Sequence, residues 1–330
     1  MIKKNVLIAI DEFASSTNSP IRILESAGFN VLKNYTGNSL DFKKNADLYS
    51  KADYVIAGLE PYSSDFFERY KNIKAISRIG VGVDSIDLDS ANKNGVKIFV
   101  TSDKPSLAVA ELCISNMIAL LRHTYKMSND LKANSWNPIQ GRDLRSCTVG
   151  VIGVGSIGKE LIKRLNSFES KIIGYGRTWN EEFSKKFSVE RKSIKEIFEE
   201  SDIITIHLPL TSETKGIISK KYIELAKHDA LILNTSRAGV IDNQALAEAI
   251  TKKNIKAALD VFDEERDPYP YTNIEGVILT PHIASHTIET RKSMEDMASR
   301  TLEIYDSLLD NQEIKDRAKK LSYINKHSVT

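Results

Sequence analysis

The chain has 330 residues, 41% of them hydrophobic and 27% charged, and its 46 Lys and Arg against 44 Asp and Glu give a formal net charge of +2. That length exceeds what a single hydrophobic core usually serves, so two domains are expected, and the ordinary composition excludes a disordered or fibrous chain. The charges are interspersed with no basic stripe, so no nucleic-acid partner is expected.

The N-terminal MIKKNVLIAIDEF holds an apolar run too short for a signal peptide and better read as a buried first strand. No apolar run reaches the roughly 20 residues of a membrane span, so no membrane partner and a cytoplasmic location are expected. Short strand-like runs then alternate with amphipathic segments, the pattern of parallel sheets with crossover helices. NVLIAI, NVLKN, YVIAG, AISRIG and KIFV read as strands, with PIRILESAG and SSDFFERYKN as helices between them. Ser106–Lys132 reads as one long apolar-periodic helix.

A second series follows: TVGVIGV, KIIGY, IITIHL, ALILNT, KAALDVF and VILTPH as strands, and SKKFSVERKSIKEIFEE as a charged, solvated helix. A last amphipathic helix spans about Thr287–Leu309 and would return to the first domain, leaving a cleft between the two. The final IKDRAKKLSYINKHSVT is expected to be a solvated, frayed end. Cys113 and Cys147, the only cysteines, belong to no Cys-x-x-Cys or Cys/His cluster, so neither a metal nor a disulfide framework is expected.

TVGVIGVGSIGKELIKRL places Gly153, Gly155 and Gly158 as G-x-G-x-x-G between a strand and a helix. The first glycine makes the tight turn, the second admits the pyrophosphate, and the third lets helix pack on strand. Ser156 and Ile157 complete this loop, and the helix start presents unpaired N–H groups to phosphate. A dinucleotide-binding fold usually carries an acid for the ribose about 20 residues on, and KIIGYGRT has Gly176, Arg177 and Thr178 there. A carboxylate would repel a 2′-phosphate, whereas a cation and a hydroxyl can grip one. NADP(H) is therefore favoured over NAD(H), with Arg177 pointing to solvent or stacking on adenine as the alternative.

Three strand ends carry reactive side chains: Arg237 in LILNTSRAGVID, Asp260 and Glu265 in AALDVFDEERDP, and His282 in LTPHIASH. Singly, each has a structural reading as surface ion-pair partner, loop cap or core imidazole. Jointly they lie at the edge where open parallel sheets bind ligands, and they suit reduction of a 2-keto acid. Negative charge develops on the carbonyl oxygen, which needs a stabilising cation and a proton. Arg237 can hold the substrate carboxylate in a fork. Imidazole is the side chain that ordinarily titrates near neutrality, which makes His282 the candidate proton donor, with Glu265 keeping the imidazole charged and oriented.

RIGVGVDSIDL, SLAVAEL, the glycine loop, SRAGVID, ALDVFDEE and TPHIAS together resemble the D-isomer-specific 2-hydroxyacid dehydrogenases. The likeness runs from about residue 45 to 310, in the branch with phosphoglycerate dehydrogenases and glyoxylate/hydroxypyruvate reductases. It implies an α/β protein of two doubly wound parallel-sheet domains. A Rossmann NAD(P)-binding domain at 102–284 is inserted in a flavodoxin-like substrate domain at 1–101 and 285–330. It implies catalytic roles for Arg237, Glu265 and His282, and substrate contacts from Val81 and Gly82 with Arg78 near the substrate. Asp260 would hold the nicotinamide amide, His207 through Pro209 would line the cofactor, and Thr214 and Thr235 would contact it. It also implies a homodimer formed through the cofactor domain.

The chain departs from the family pattern at Ser85, where Asn is usual, at Ala238, where Gly is usual, and at Arg266, where Pro is common. The expected activity is an NAD(P)-dependent reduction of a small 2-keto acid such as hydroxypyruvate or glyoxylate, or oxidation of the matching D-2-hydroxy acid. The alternatives are a 3-phosphoglycerate dehydrogenase of serine biosynthesis and a nucleotide-sensing, corepressor-like binding protein.

Overall fold

The computed structural model describes residues 3–36, 38–102, 104–264 and 267–310. Glu265, Arg266 and the basic C-terminal stretch therefore lie outside the described residues. The chain divides into two compact units, one formed by Met1–Pro105 with Thr287–Thr330 and the other by Ser106–His286.

In the first unit, β1 (Asn5–Ile8), β2 (Asn30–Leu32), β3 (Tyr54–Ala57), β4 (Ala75–Arg78) and β5 (Lys97–Val100) form a parallel sheet of order β2-β1-β3-β4-β5. This is the flavodoxin-like winding. Every residue of β3 and β4 is buried, as expected of strands covered on both faces. Tyr49, Phe66, Phe67 and Tyr70 pack on one face with Leu7, Val55 and Ile76. On the other face lie Met294, Ala298 and Leu302 of the helix Ile288–Asp310. Ser77 Oγ donates to Ala298 O at 3.0 Å, tying β4 to that helix.

In the second unit, β6 (Thr148–Ile152), β7 (Lys171–Tyr175), β8 (Glu190–Arg191), β9 (Ile203–Ile206), β10 (Leu231–Asn234), β11 (Lys256–Leu259) and β12 (Val277–Leu279) form a parallel sheet. Its order is β12-β11-β10-β9-β6-β7-β8. The direction of winding reverses between β6 and β9, the switch point at which Rossmann folds bind dinucleotides beyond the carboxyl ends of their strands.

Two elements differ from the sequence expectation. Ser106–Lys132 is two helices, Ser106–Leu121 and Thr124–Lys132, bent by 62° with His123 in the left-handed region at φ +53°. The first helix buries Val109, Ala110, Cys113, Met117 and Leu120, whereas the second buries nothing. Leu121 O accepts the N–H of Arg142 at 3.1 Å, an outside partner that satisfies a terminal carbonyl where the apolar face runs out. The expected charged helix over SKKFSVERKSIKEIFEE is likewise broken. One helix ends at Lys186, Glu190–Arg191 joins the sheet as β8, and a new helix starts at Ile194. A reciprocal capping box between Ser193 and Glu196 starts that helix, and a Ser-x-x-Glu spacing is the signature of such a start. Among the described residues, no single helix is long and apolar enough to cross a membrane.

Candidate active site

The strands of the second sheet end in register. Tyr175 pairs with Ile152, Ile152 with Ile206, Ile206 with Asn234, Asn234 with Leu259, and Leu259 with Leu279. The residues that follow these ends, Gly176, Gly153, His207, Thr235, Asp260 and Thr280, therefore form one row with neighbours about 4.8 Å apart. Arg237 follows β10 and His282 follows β12, with only β11 between them.

The three loop glycines have different neighbours. Gly153 has φ +105°, and a Cβ there would lie 2.5 Å from His207 O. A Cβ on Gly158 would lie 2.2 Å from Gly153 O, so helix and strand meet through the missing side chain. Gly155 has nothing within 4 Å of its Cβ position and stands as N-cap of the helix Ser156–Leu165. That open approach to an exposed helix N-terminus, with Ser156 exposed and Ile157 half-buried, fits a dinucleotide pyrophosphate.

Asp260 is fully buried. Its Oδ1 accepts from Thr280 Oγ1 at 2.5 Å and Ile283 N–H at 2.9 Å, and its Oδ2 accepts Ala284 N–H at 2.8 Å. These bonds clasp the turn that carries His282, whose backbone is left-handed at φ +54°, a conformation costing a non-glycine residue roughly 1–2 kcal/mol. The Arg237 turn is tied by Asn234, whose Nδ2 donates to Arg237 O at 2.9 Å while its Oδ1 accepts Ser236 N–H at 3.0 Å. Arg237 Nη1 donates to Ser236 O at 2.8 Å. Ala238 sits in a short 3-10 turn, Ala238–Val240, which the methyl group fits.

His207 Nε2 lies 2.9 Å from Thr205 Oγ1, and its Nδ1 is buried without a partner among the described residues. Burial pushes its pKa down to about 4, so the imidazole is neutral. Thr214 Oγ1 donates to Pro209 O at 2.5 Å and accepts Thr211 N–H at 2.8 Å, which closes the loop after β9. Buried Thr235 has its Oγ1 3.5 Å from Cys113 Sγ. Burial pushes the Cys113 thiol up to about 11, which leaves it protonated and unreactive. Thr178 is exposed beyond β7, and Arg177 Nη1 pairs with Glu213 at 2.7 Å, the side chains 84% and 69% exposed. Among the described residues, no group of three or more His, Cys, Asp or Glu is arranged to hold a metal.

The remaining expected residues belong to the first unit. Arg78 ends β4 and is buried. The loop after it holds Val81, 46% exposed, and half-buried Gly82. Tyr62 N–H donates to Ser85 O at 2.8 Å, and Asp87 N–H to Tyr62 O at 2.9 Å, so Ser85 anchors the loop through its backbone. Sequence reasoning passed over Asn234, Thr280 and Glu60, which hold or flank these turns. Asn234 and Thr280 were visible as polar residues closing apolar strands, and Glu60 as an acid just past one.

Residues 114–284 match the family model described as "D-isomer specific 2-hydroxyacid dehydrogenase, NAD binding domain". The chain is 37% identical over 280 residues to D-3-phosphoglycerate dehydrogenase of Methanocaldococcus jannaschii, covering 83% of this chain and 52% of that protein. It thus spans about half the length of that relative. It is 35% identical over 245 residues to hydroxypyruvate reductase of Thermotoga maritima, covering 72% of this chain and 79% of the relative. The crystal structure of a glyoxylate reductase from Paecilomyes thermophila superposes with a TM-score of 0.81 at 26% identity, covering 92% of this chain and 95% of that one. With its flavodoxin-like and Rossmann sheets, its phosphate-approachable glycine turn and these relatives, the chain belongs to the D-isomer-specific 2-hydroxyacid dehydrogenase family of NAD(P)-dependent oxidoreductases.

Proposed function

We propose that this chain reduces a small 2-keto acid of the glyoxylate or hydroxypyruvate type to the D-2-hydroxy acid, with NADPH preferred over NADH. The observation that carries the reading is the common strand-end row. It brings the glycine loop, the Arg237 turn and the Asp260-clasped His282 turn to one edge of one sheet. The bound nicotinamide supplies the hydride. Arg237 would bind the substrate carboxylate and stabilise charge on the reacting oxygen, and His282 would deliver the proton to that oxygen. Glu265, outside the described residues, is assigned the orientation of His282. The exposed Val81 and Gly82 loop would contact the substrate carboxylate through its backbone.

The cofactor preference is supported by Gly176 at the position of the usual ribose acid. Two guanidinium groups stand near it: Arg177 next in the chain, and Arg191, whose Nη2 lies 3.4 Å from Gly176 O. The relatives' names support hydroxypyruvate, glyoxylate and phosphohydroxypyruvate as the substrates to compare. The family likeness supports a cytoplasmic homodimer joined through the Ser106–His286 unit. The test is oxidation of NADPH and NADH with glyoxylate, pyruvate, hydroxypyruvate and 3-phosphohydroxypyruvate. Turnover with at least one acid, and a higher kcat/KM for NADPH, are expected. No turnover with any acid overturns the reaction, and a higher kcat/KM for NADH overturns the cofactor assignment.

A further inference from the structure

Three cations stand around the end of β7, and they differ in what they are bonded to. Arg177 Nη1 lies 2.7 Å from Glu213. Lys192 Nζ is held by Glu190 at 2.9 Å and Glu200 at 3.0 Å, with Glu196 3.9 Å away. Arg191 pairs with no carboxylate among the described residues, and its guanidinium meets a carbonyl oxygen and an aromatic ring instead.

Arg191 of β8 lies opposite Gly174 of β7, so the two positions share one face of the sheet. Gly174 leaves room on that face: a Cβ there would fall 3.2 Å from Trp179 Cη2 and 3.1 Å from Val154 Cγ2. The half-buried Trp179 ring takes that room. The Arg191 guanidinium lies over the ring, 5.5 Å from its centroid, within the range of a cation–π contact. Arg191 Nη2 also donates to Gly176 O at 3.4 Å.

Gly176 in turn borders the glycine loop. Its Cβ position is 3.7 Å from Val154 N, and Tyr175 O accepts the N–H groups of Gly153 at 2.8 Å and Val154 at 3.3 Å. The guanidinium is thus fixed at the place of the usual ribose acid, beside the loop that fits the pyrophosphate.

A phosphomonoester carries about −1.5 to −2 charge at neutral pH and is well met by the planar fork of an arginine. Arg191 spends one of its N–H donors on Gly176 O and keeps the others. Arg177 and Lys192 would each have to leave an ion pair, whereas Arg191 gives up only water. Its side chain is already ordered on Trp179, so less freedom is lost when the ligand binds.

We propose that Arg191 is a specificity-determining residue: seated on Trp179 at the end of β7, it binds the 2′-phosphate of NADPH. Trp179 is its positioning residue, and Arg177 joins the phosphate on leaving Glu213. The inference rests on the cofactor preference proposed above.

The test measures Kd for 2′,5′-ADP and for 5′-AMP by calorimetry, since the two differ only in the 2′-phosphate. The wild-type protein is expected to bind 2′,5′-ADP about 100-fold more tightly, and Arg191→Ala should cut that ratio about tenfold, as loss of a hydrogen bond to a charged group does. Arg191→Lys keeps the charge without the fork and should fall between them. Trp179→Ala should lower the ratio several-fold and Trp179→Phe, which keeps a ring under the guanidinium, should restore it. Equal Kd values in the wild type overturn the cofactor preference, and the proposal falls with it. A wild type that discriminates, beside a folded Arg191→Ala protein with the same ratio, overturns the proposal alone. If that variant does not fold, Arg191→Lys decides, and an unchanged ratio there overturns it.

Discussion

Asp260 Oδ2 accepts the backbone N–H of Ala284 at 2.8 Å across two strand ends. With the bonds from Ile283 and Thr280, this makes a buried carboxylate the holder of the turn that presents His282. Asp260→Asn would turn an amide N–H toward one of these donors and lose at least one bond. Leaving a buried donor unmet costs about 1–3 kcal/mol. The expected result is a fall in kcat of about 10- to 100-fold, as for a displaced proton donor, with the KM for the keto acid moving less. Steady-state kinetics and denaturant unfolding check this together. A wild-type kcat in a variant destabilised by that amount would leave Asp260 a purely structural residue.

Substituting the glycine loop should separate folding from cofactor binding. Gly158→Ala forces a Cβ to 2.2 Å from Gly153 O, a backbone atom that cannot swing aside. That variant is expected to lose stability by a few kcal/mol, as overpacking does, and to bind cofactor weakly. Gly155→Ala meets nothing within 4 Å in the protein and should fold normally, yet the methyl group would stand in the phosphate approach. Its melting temperature should match the wild type while Kd for NADPH rises at least tenfold, measured by nucleotide fluorescence. A Gly155→Ala protein with unchanged Kd would move the pyrophosphate elsewhere.

Both sheets could be read from the sequence because buried parallel strands are short β-rich runs between polar turns. The G-x-G-x-x-G spacing and the positions of Arg237 and His282 just past strands could also be read, since each depends on a few adjacent residues. What escaped depends on partners distant in the chain. Nothing near His123 announces the 62° bend, because the Arg142 N–H that takes over Leu121 O comes from a later loop. Glu190–Arg191 is a strand only because it pairs with Ile173–Gly174 of β7, while its charges read as a solvated helix. Asp260 reaches the His282 turn over more than 20 residues.

Cofactor choice should respond to the exposed Arg177–Glu213 pair. Both side chains are largely solvated, so the pair contributes at most about 1 kcal/mol and opens readily for a 2′-phosphate. Arg177→Ala should raise KM for NADPH by about tenfold and leave NADH unaffected. Glu213→Gln frees the cation and should lower KM for NADPH a few-fold, with the gain shrinking at high salt. Gly176→Asp brings a Cβ to 3.3 Å from Thr178 O, a tight contact that the backbone at exposed Thr178 must relax by a few tenths of an ångström, and should shift preference toward NADH. Parallel changes for the two cofactors in all three variants would remove the end of β7 from the adenosine site.

His207 gives the fold a defined acid weakness. Its folded pKa is lowered by burial to about 4, against about 6.5 in an unfolded chain. Between those values the unfolded state binds a proton that the folded state refuses, so stability rises with pH across the window and is complete above it. As pH falls from 6.5 toward 4, up to roughly 3 kcal/mol is lost from this group. His207→Gln can still meet Thr205 Oγ1 and does not titrate. Its unfolding free energy should therefore fall more slowly than the wild type over that interval, and the two curves should run parallel above pH 7. Urea unfolding at half-unit pH steps measures the difference, and equal slopes for both proteins through the window would show that His207 is not held neutral in the folded state.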